Sequence, residues 1–188
     1  MQELEIPWIY EGMVLTMVAK NEVKNRLRAQ LRRQREERYT EHNLLHLLDI
    51  PEIKSAKTIA SYFSIGTEPD TAALNQAIIA SGKTLLLPRI NGQLLDWVQW
   101  DGSDSTIATN GRFSEPIGEP FINLDAIDFI LVPALAIDPD GYRLGQGGGF
   151  YDRELPKLRG WKHGVVYNYE RMEHDLPREP WDVPVNSW

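Results

Sequence analysis

Four glycines within five positions form the stretch of this sequence that is best suited to chemistry: Gly145, Gly147, Gly148 and Gly149. Glycine adds no side chain to a core and loses the most backbone entropy on folding, so such a run is useful where backbone turns tightly or approaches a ligand closely. Successive exposed N–H groups form a site for an anion. An apolar run precedes the glycines and a segment of helical character follows them, which is the order that a phosphate site needs. A flexible surface loop is the alternative interpretation.

Charged side chains beside this loop favour the phosphate interpretation. Arg143 and Arg153 flank the glycines, and the carboxylate of Asp152 could hold a cation. The loop is not a P-loop, because no Lys-Ser or Lys-Thr pair follows the glycines. It is not a Rossmann fingerprint either, since that motif lies near the start of its unit and this one lies late in the chain.

A basic amphipathic helix is predicted from Lys20 onwards. Three apolar residues recur every four positions, and three basic residues follow the same spacing one position later. The apolar residues are Val23, Leu27 and Leu31, and the basic residues are Lys24, Arg28 and Arg32. Basic side chains at the edge of a buried stripe can rest their stems on the core and direct their charges into a neighbouring cleft. A solvated basic face with Glu partners is the alternative.

The composition excludes several classes of function. The 188 residues include no cysteine, which excludes disulfides and thiolate catalysis, and the net charge of −7 disfavours a general nucleic-acid binder. No apolar run is long enough to span a bilayer, and the N-terminus is acidic where a signal peptide would be basic. We therefore expect a cytoplasmic protein without membrane or nucleic-acid partners. We also expect residues 1–18 to be a poorly ordered lead and residues 19–188 to form one domain.

Short apolar runs that alternate with helical segments predict an α/β fold, with a parallel or mixed sheet and helices on both faces. Strands are predicted at residues 58–64, 84–90, 94–100, 128–137 and 163–168. Residues 101–126 are predicted to be rich in loops. Glu68 follows the end of the first strand, and this is the position at which α/β proteins bind ligands.

The segments Pro133–Asp138 and Gly141–Arg153 closely resemble the signature of the 5-formyltetrahydrofolate cyclo-ligase family, also called methenyltetrahydrofolate synthetase. The resemblance extends over about residues 20–188. Within it, residues 24–28 resemble an N-terminal Lys-x-x-x-Arg motif of the family, and residues 64–71 resemble its Ser…Glu-x-x-Thr element. Residues 113–120 resemble the segment before its third buried strand. The sequence departs from the family pattern at Trp181, where the family usually has His.

The resemblance implies a fold, a reaction and a set of site residues. The fold is a three-layer α/β/α architecture with a mostly parallel sheet, similar to ribose-5-phosphate isomerase and glucosamine-6-phosphate deaminase. The reaction is the cyclisation of 5-formyltetrahydrofolate to 5,10-methenyltetrahydrofolate through a phosphorylated formyl group, with ATP as co-substrate and Mg²⁺ as cofactor, in a monomer. The implied ATP contacts are Lys24, Arg28, Arg143, Leu144, Gly145, Gln146, Gly147, Gly148, Gly149, Phe150, Tyr151 and Asp152. Among these, Arg143 and Lys24 are implied to be catalytic and Asp152 to hold Mg²⁺. The implied folate contacts are Glu68, Phe113 and Tyr151.

Two alternative functions remain open from the sequence. The first is an enzyme of the same fold that acts on a sugar phosphate and uses the glycine loop only as a phosphate cradle, without ATP. The second is a relative that binds folate or a nucleotide without turnover, because a fold can persist after its activity is lost.

Overall fold

A mixed sheet lies at the centre of this computed structural model, which describes residues 17–40, 43–111 and 113–188. The elements are α1 (Met17–Arg38), α2 (Pro51–Ser55), β1 (Thr58–Ala60), α3 (Ala72–Ala80), β2 (Thr84–Asn91), β3 (Leu94–Trp100), β4 (Ile107–Asn110), β5 (Phe113–Pro116), β6 (Phe129–Pro133), β7 (Ala136–Ile137), β8 (Arg143–Leu144), α4 (Phe150–Glu154) and β9 (Trp161–Val165). The central sheet has the strand order β3-β2-β1-β6-β9. Its strands are parallel except β3, which returns from β2 as an antiparallel hairpin. The predicted α/β class with a mostly parallel sheet is therefore confirmed.

Alternating side chains of the strands supply two separate hydrophobic clusters, one on each face of the sheet. Leu85 and Leu87 of β2 belong to the cluster that includes Leu74 and Ile78 of α3. Leu86, between them, belongs to the opposite cluster, which includes Leu155 just beyond α4. Since side chains alternate across a strand, the continuous apolar run of β2 is the pattern of a strand buried on both faces.

The basic helix α1 packs beside the glycine loop through its apolar stripe. Leu27 and Leu31 are buried in a third cluster, which includes Leu144 of β8 and Met172 and Leu176 near the C-terminus. This packing brings the basic edge of α1 close to the loop that follows β8. The predicted apolar stripe of this helix is confirmed.

An ion pair with almost no solvent exposure ties α1 to the rest of the protein. Arg35 is 1% exposed and donates two hydrogen bonds of 2.6 Å to the carboxylate of Glu170, which is 0% exposed. It also donates to the carbonyl oxygen of Ala134, at 2.8 Å. The position of α1 is therefore set by charge as well as by apolar packing.

Two predicted strands are shorter than the sequence pattern indicates, because other partners take over their backbone groups. The strand predicted at 58–64 ends at Ala60, and the carbonyl oxygen of Tyr62 accepts hydrogen bonds from the side chains of Thr71 and Asn75. The strand predicted at 128–137 is interrupted after Pro133, and the chain pairs again as β7 with β8. The region predicted to be rich in loops, 101–126, contains the small hairpin of β4 and β5.

The remaining predictions about the ends of the chain concern residues that the structure covers only in part. The lead predicted at residues 1–18 lies, up to residue 16, outside the described residues. In the described ranges, no helix is both long enough and apolar enough to cross a membrane.

Candidate functional site

A cavity opens where the chain leaves β1, β2 and β6, at the carboxyl ends of these parallel strands. It contains about 910 Å³ of space between atoms, part of it open to solvent. Tyr62 and Phe63 follow β1, Ile90 lies near the end of β2, and Pro133 ends β6. Open parallel sheets bind their ligands at this edge, because the loops leave the sheet there.

The cavity has one apolar wall and one polar wall. The apolar wall is formed by Tyr62, Phe63, Ile65, Pro88, Ile90, Leu95 and Phe113. The polar wall is formed by Arg28, Arg143, the loop from Gly145 to Gly149, and Asp152. A molecule with a flat apolar part and an anionic part would find a complementary surface for each part within one cavity.

The glycine loop is held in place by arginines that bond to its carbonyl oxygens. Arg28 donates to the carbonyl of Gly145 at 2.9 Å, Arg32 to that of Gln146 at 2.6 Å, and Arg153 to that of Gly148 at 2.9 Å. The first two of these belong to the predicted basic row of α1. Burial lowers the pKa of Arg28, the positive charge of Arg32 adds to this effect, and Asp152 opposes it.

The backbone N–H groups of this loop remain available to a ligand. Within the described ranges, the N–H groups of residues 145–149 donate to no protein acceptor. Two of these residues have left-handed backbone angles, with φ of 106° at Gly147 and 67° at Gly149. A Cβ atom at Gly149 would also come within 2.8 Å of Arg153. The backbone conformation favours glycine at these two positions, and the loop has the free donors of an anion site.

Arg143 places a nearly buried positive charge at the base of the loop. Its side chain is 6% exposed and forms an ion pair with Asp152, which is 46% exposed. Its guanidinium carbon lies 5.7 Å from the centre of the Tyr151 ring, and its Nε has no hydrogen-bond partner in the part of the chain that the structure describes. A buried cation that is only partly paired is suited to stabilise an anion that enters the cavity.

A hydrogen bond joins the glycine loop to Glu68, which also lines the cavity. Glu68, which is 8% exposed, accepts from the side chain of Gln146 at 3.1 Å and from the backbone N–H of Ile65 at 3.0 Å. The side-chain oxygen of Gln146 accepts in turn from Arg32, at 3.0 Å. The predicted folate contact Glu68 and the predicted ATP contact Gln146 are therefore direct neighbours.

Tyr151 also lines the cavity, next to Arg143. Burial raises the pKa of its phenol well above the usual range, the charge of Glu68 raises it further, and Arg143 lowers it. Its hydroxyl is buried without a hydrogen-bond partner among the described residues, and its ring meets Trp97 edge to face at 6.3 Å. At neutral pH Tyr151 is therefore an uncharged donor that a ligand can engage.

Several residues named from the sequence lie elsewhere or take other roles. Lys24 is absent from the cavity wall and lies near the carboxylates of Asp182 and Glu179, at 3.5 Å and 3.9 Å. The side chain of Leu144 is buried in the hydrophobic cluster beneath α1. Phe113, in contrast to these residues, does line the cavity. Trp181, at the position where the family usually has His, is 57% exposed.

Much of the cavity wall was not predicted from the sequence, including Tyr62 and Glu115. Tyr62 lies in the strand predicted at 58–64, and the apolar run gave no sign that the strand would end before it. Glu115 is 7% exposed and accepts from the backbone N–H of Ile90 at 3.0 Å and from Asn110 at 3.1 Å. It lies within the segment that resembles the family, so its position beside Phe113 was the available signal.

A magnesium ion fits this site only if phosphate oxygens of a substrate join a protein carboxylate in its coordination. In the described ranges, acidic and histidine side chains form no group of three that would hold a metal alone. One oxygen of Asp152 accepts from Arg143, while the other has no hydrogen-bond partner within the described ranges. Mg²⁺ commonly binds one carboxylate together with phosphate oxygens, and Asp152 beside the anion loop can supply that carboxylate.

Comparisons with known proteins agree on one family. The family model described as "5-formyltetrahydrofolate cyclo-ligase family" matches residues 16–187. Curated proteins named 5-formyltetrahydrofolate cyclo-ligase include one from Haemophilus influenzae, 34% identical over 74% of this chain and 79% of its own length. Another, from Escherichia coli, is 30% identical over 74% of this chain and 80% of its own length.

Solved structures lead to the same group. The NMR structure of a 5,10-methenyltetrahydrofolate synthetase from Aquifex aeolicus matches with a TM-score of 0.72 and 34% identity, covering 87% of each chain. A structure of the enzyme of that name from Mycoplasma pneumoniae has a TM-score of 0.57 and 21% identity, covering 93% of this chain and 88% of the other. At that identity, the second match supports the fold alone.

Proposed function

The chain belongs to the 5-formyltetrahydrofolate cyclo-ligase family, and we propose that it catalyses the ATP-dependent ring closure of 5-formyltetrahydrofolate to 5,10-methenyltetrahydrofolate, releasing ADP and phosphate. The observation that carries this proposal is that one cavity contains an apolar wall, the carboxylate of Glu68, a loop of free N–H groups and the nearly buried Arg143. The reduced pterin ring suits the apolar wall, and the triphosphate of ATP suits the polar wall.

The reaction explains why one cavity has to hold both substrates. The formyl oxygen is a poor leaving group, so N10 of the folate cannot displace it directly. Attack of this oxygen on the γ-phosphorus of ATP forms an O–P bond and breaks the bond to the bridging oxygen, which leaves with ADP. N10 then adds to the activated carbon and loses its proton, and the phosphate departs with the former formyl oxygen. Both phosphoryl transfer and ring closure require the reacting atoms to be held in place.

The polar wall supplies positive charge where phosphoryl transfer needs it. We assign Arg143 to the transferred phosphoryl group, because its cation is nearly buried and, among the described residues, its ion pair is with the exposed carboxylate of Asp152. The N–H groups of residues 145–149 bind the phosphate oxygens, and Arg28 adds charge from α1. Asp152 would hold Mg²⁺, which neutralises phosphate charge when bound. Lys24 lies one turn before Arg28 on α1, and we assign to it an outer phosphate contact, made after leaving its carboxylates.

The apolar wall positions the folate. Phe113 and Tyr62 offer aromatic faces to the ring, and the carboxylate of Glu68 accepts from ring N–H groups. Tyr151 is uncharged at neutral pH and can donate its hydroxyl between the two substrates. The fold similarity to ribose-5-phosphate isomerase, the monomeric state, the cytoplasmic location and the lead at residues 1–18 remain parts of this proposal.

The test is the appearance of methenyl product by absorbance. Protein mixed with 5-formyltetrahydrofolate, ATP and Mg²⁺ should produce the methenyl chromophore, and omission of ATP should abolish the signal. Product without ATP would refute the phosphoryl-transfer chemistry. Tight binding of both substrates without product would favour the non-catalytic alternative, and turnover of a sugar phosphate in place of folate would favour the other.

A further inference from the structure

Gln146 uses its side-chain nitrogen, its side-chain oxygen and its backbone carbonyl to connect the glycine loop with α1 and with the loop that carries Glu68. Its side-chain NH₂ donates to Glu68 at 3.1 Å, and its side-chain oxygen accepts from Nε of Arg32 at 3.0 Å. Its backbone carbonyl accepts from Nη2 of Arg32 at 2.6 Å. Although Gln146 is exposed to solvent, Arg32 on α1 thus fixes its orientation towards Glu68.

Each of the two proposed ligands disturbs this contact. Both oxygens of the Glu68 carboxylate already accept hydrogen bonds, from Gln146 and from Ile65, and the residue is only 8% exposed. A pterin ring that donates to the oxygen bonded to Gln146 competes with this amide and, in the proposed complex, displaces it. Gln146 also lies inside the anion loop, between Gly145 and Gly147, so a phosphate that draws the loop N–H groups towards itself moves Gln146 as well.

We propose that Gln146 is a positioning residue that couples the two substrate subsites, so that each substrate favours the binding of the other. This inference rests on the proposed function. Whichever substrate binds first breaks the contact between Gln146 and Glu68, and the second substrate then binds to a site in which this contact is already broken. The coupling is positive, and thermodynamic linkage requires it to have the same size in both directions.

The size of the coupling follows from the contact that is broken. A hydrogen bond to a charged group contributes more than one between neutral groups, but Gln146 is exposed and water competes for its amide. We therefore expect each substrate to tighten the binding of the other about fivefold.

Two substitutions separate this coupling from the shape of the loop. Gln146→Met removes the donor to Glu68 at similar length. Gln146→Glu keeps an acceptor for Arg32 but places a second carboxylate beside Glu68, where it cannot donate. Both variants change an exposed side chain, so their folding is expected to be intact, and thermal melting checks this. Gln99→Met, at an exposed position of β3 away from the cavity, is the matched control.

The experiment measures the dissociation constant of 5-formyltetrahydrofolate by calorimetry, with and without a non-hydrolysable ATP analogue, and then the reverse titration. The wild-type protein and Gln99→Met should show the same tightening of about fivefold in both directions. In Gln146→Met and Gln146→Glu, the factor should fall to about one, and 5-formyltetrahydrofolate alone should bind to Gln146→Met more tightly than to the wild type.

The possible outcomes distinguish this inference from the proposed function. Unchanged coupling in both Gln146 variants, or independent binding in a wild-type enzyme that forms product, refutes the role of Gln146 and leaves the function intact. A wild-type protein that binds neither substrate and forms no product refutes the function, and the coupling with it.

Discussion

The substitution Arg143→Met should separate catalysis from stability. Methionine keeps much of the length and apolar volume of the arginine stem but removes the charge proposed to face the transferred phosphoryl group. Loss of one preorganised electrostatic contact in a shielded site typically lowers the rate by roughly 10²–10³-fold. We expect kcat/KM for ATP to fall by about this factor, with most of the loss in kcat, because the contact strengthens in the transition state.

The same substitution should change stability little. Asp152, the partner of Arg143, is 46% exposed, and an ion pair with one solvated member contributes about 0–1 kcal/mol. The Nε atom of Arg143 has no hydrogen-bond partner among residues 17–40, 43–111 and 113–188, so its removal also removes an unsatisfied buried polar group. For a chain of this size, we expect the melting temperature to change by no more than about 4 °C.

The assay combines steady-state methenyl absorbance with thermal melting. Arg159→Met is the matched control, because Arg159 is 82% exposed and pairs with Asp125 away from the cavity. The control should retain wild-type values of kcat/KM and melting temperature. A folded Arg143→Met variant with wild-type turnover would refute the assignment of Arg143 to the phosphoryl group.

Four further variants test other parts of the account. Asp152→Asn should raise the Mg²⁺ concentration needed for half-maximal rate, with partial rescue by excess metal; a titration curve that overlays the wild type would remove the metal role. Glu68→Gln should raise KM for 5-formyltetrahydrofolate on the order of tenfold or more while KM for ATP changes little, because a charged hydrogen bond is lost, and an unchanged folate KM would contradict the pterin contact. Arg35→Met leaves the buried carboxylate of Glu170 without a counter-charge, with the backbone N–H of Tyr167 still donating to it. The loss should cost about 3–5 kcal/mol of unfolding free energy, measured by urea denaturation; a loss below about 1 kcal/mol would show that the pair is not a main anchor of α1. Burial lowers the pKa of His163 from 6.5 to about 4, and the charges of Arg171 and His46 add to this effect. As the pH falls, the unfolded state therefore binds a proton before the folded state does, and the free energy of unfolding declines through this interval. His163→Asn should flatten that decline, and equal pH profiles for variant and wild type would contradict the role of His163.

The parts of the cavity that depend on residues close together in the sequence could be predicted. The glycine loop, Arg143 and Asp152 stand close together along the chain, so their proximity in space follows from short range alone. The spacing of Leu27 and Leu31 likewise fixes which edge of α1 meets the loop. These features depend on helical periodicity and on turn conformation, both of which can be read from neighbouring positions.

Contacts between distant segments could not be predicted in the same way. The resemblance implied that Arg28 would contact ATP, yet in the structure it donates to the carbonyl of Gly145, 117 positions away. Lys24 has the same helical spacing but lies beside Asp182, because the C-terminal segment passes over that turn of α1. The early end of β1 likewise depends on Thr71 and Asn75 bonding to Tyr62, which a short apolar run does not reveal. Such partners are chosen by tertiary packing.

The most direct test of the central claim follows the formyl oxygen. 5-Formyltetrahydrofolate labelled with ¹⁸O in its formyl group would be converted by the enzyme with unlabelled ATP and Mg²⁺, and the inorganic phosphate would be analysed by mass spectrometry. If the formyl oxygen attacks the γ-phosphorus, one ¹⁸O atom should appear in each phosphate released. Methenyl product accompanied by unlabelled phosphate, with the ¹⁸O in water, would contradict the phosphorylated intermediate and the role assigned to the glycine loop and Arg143.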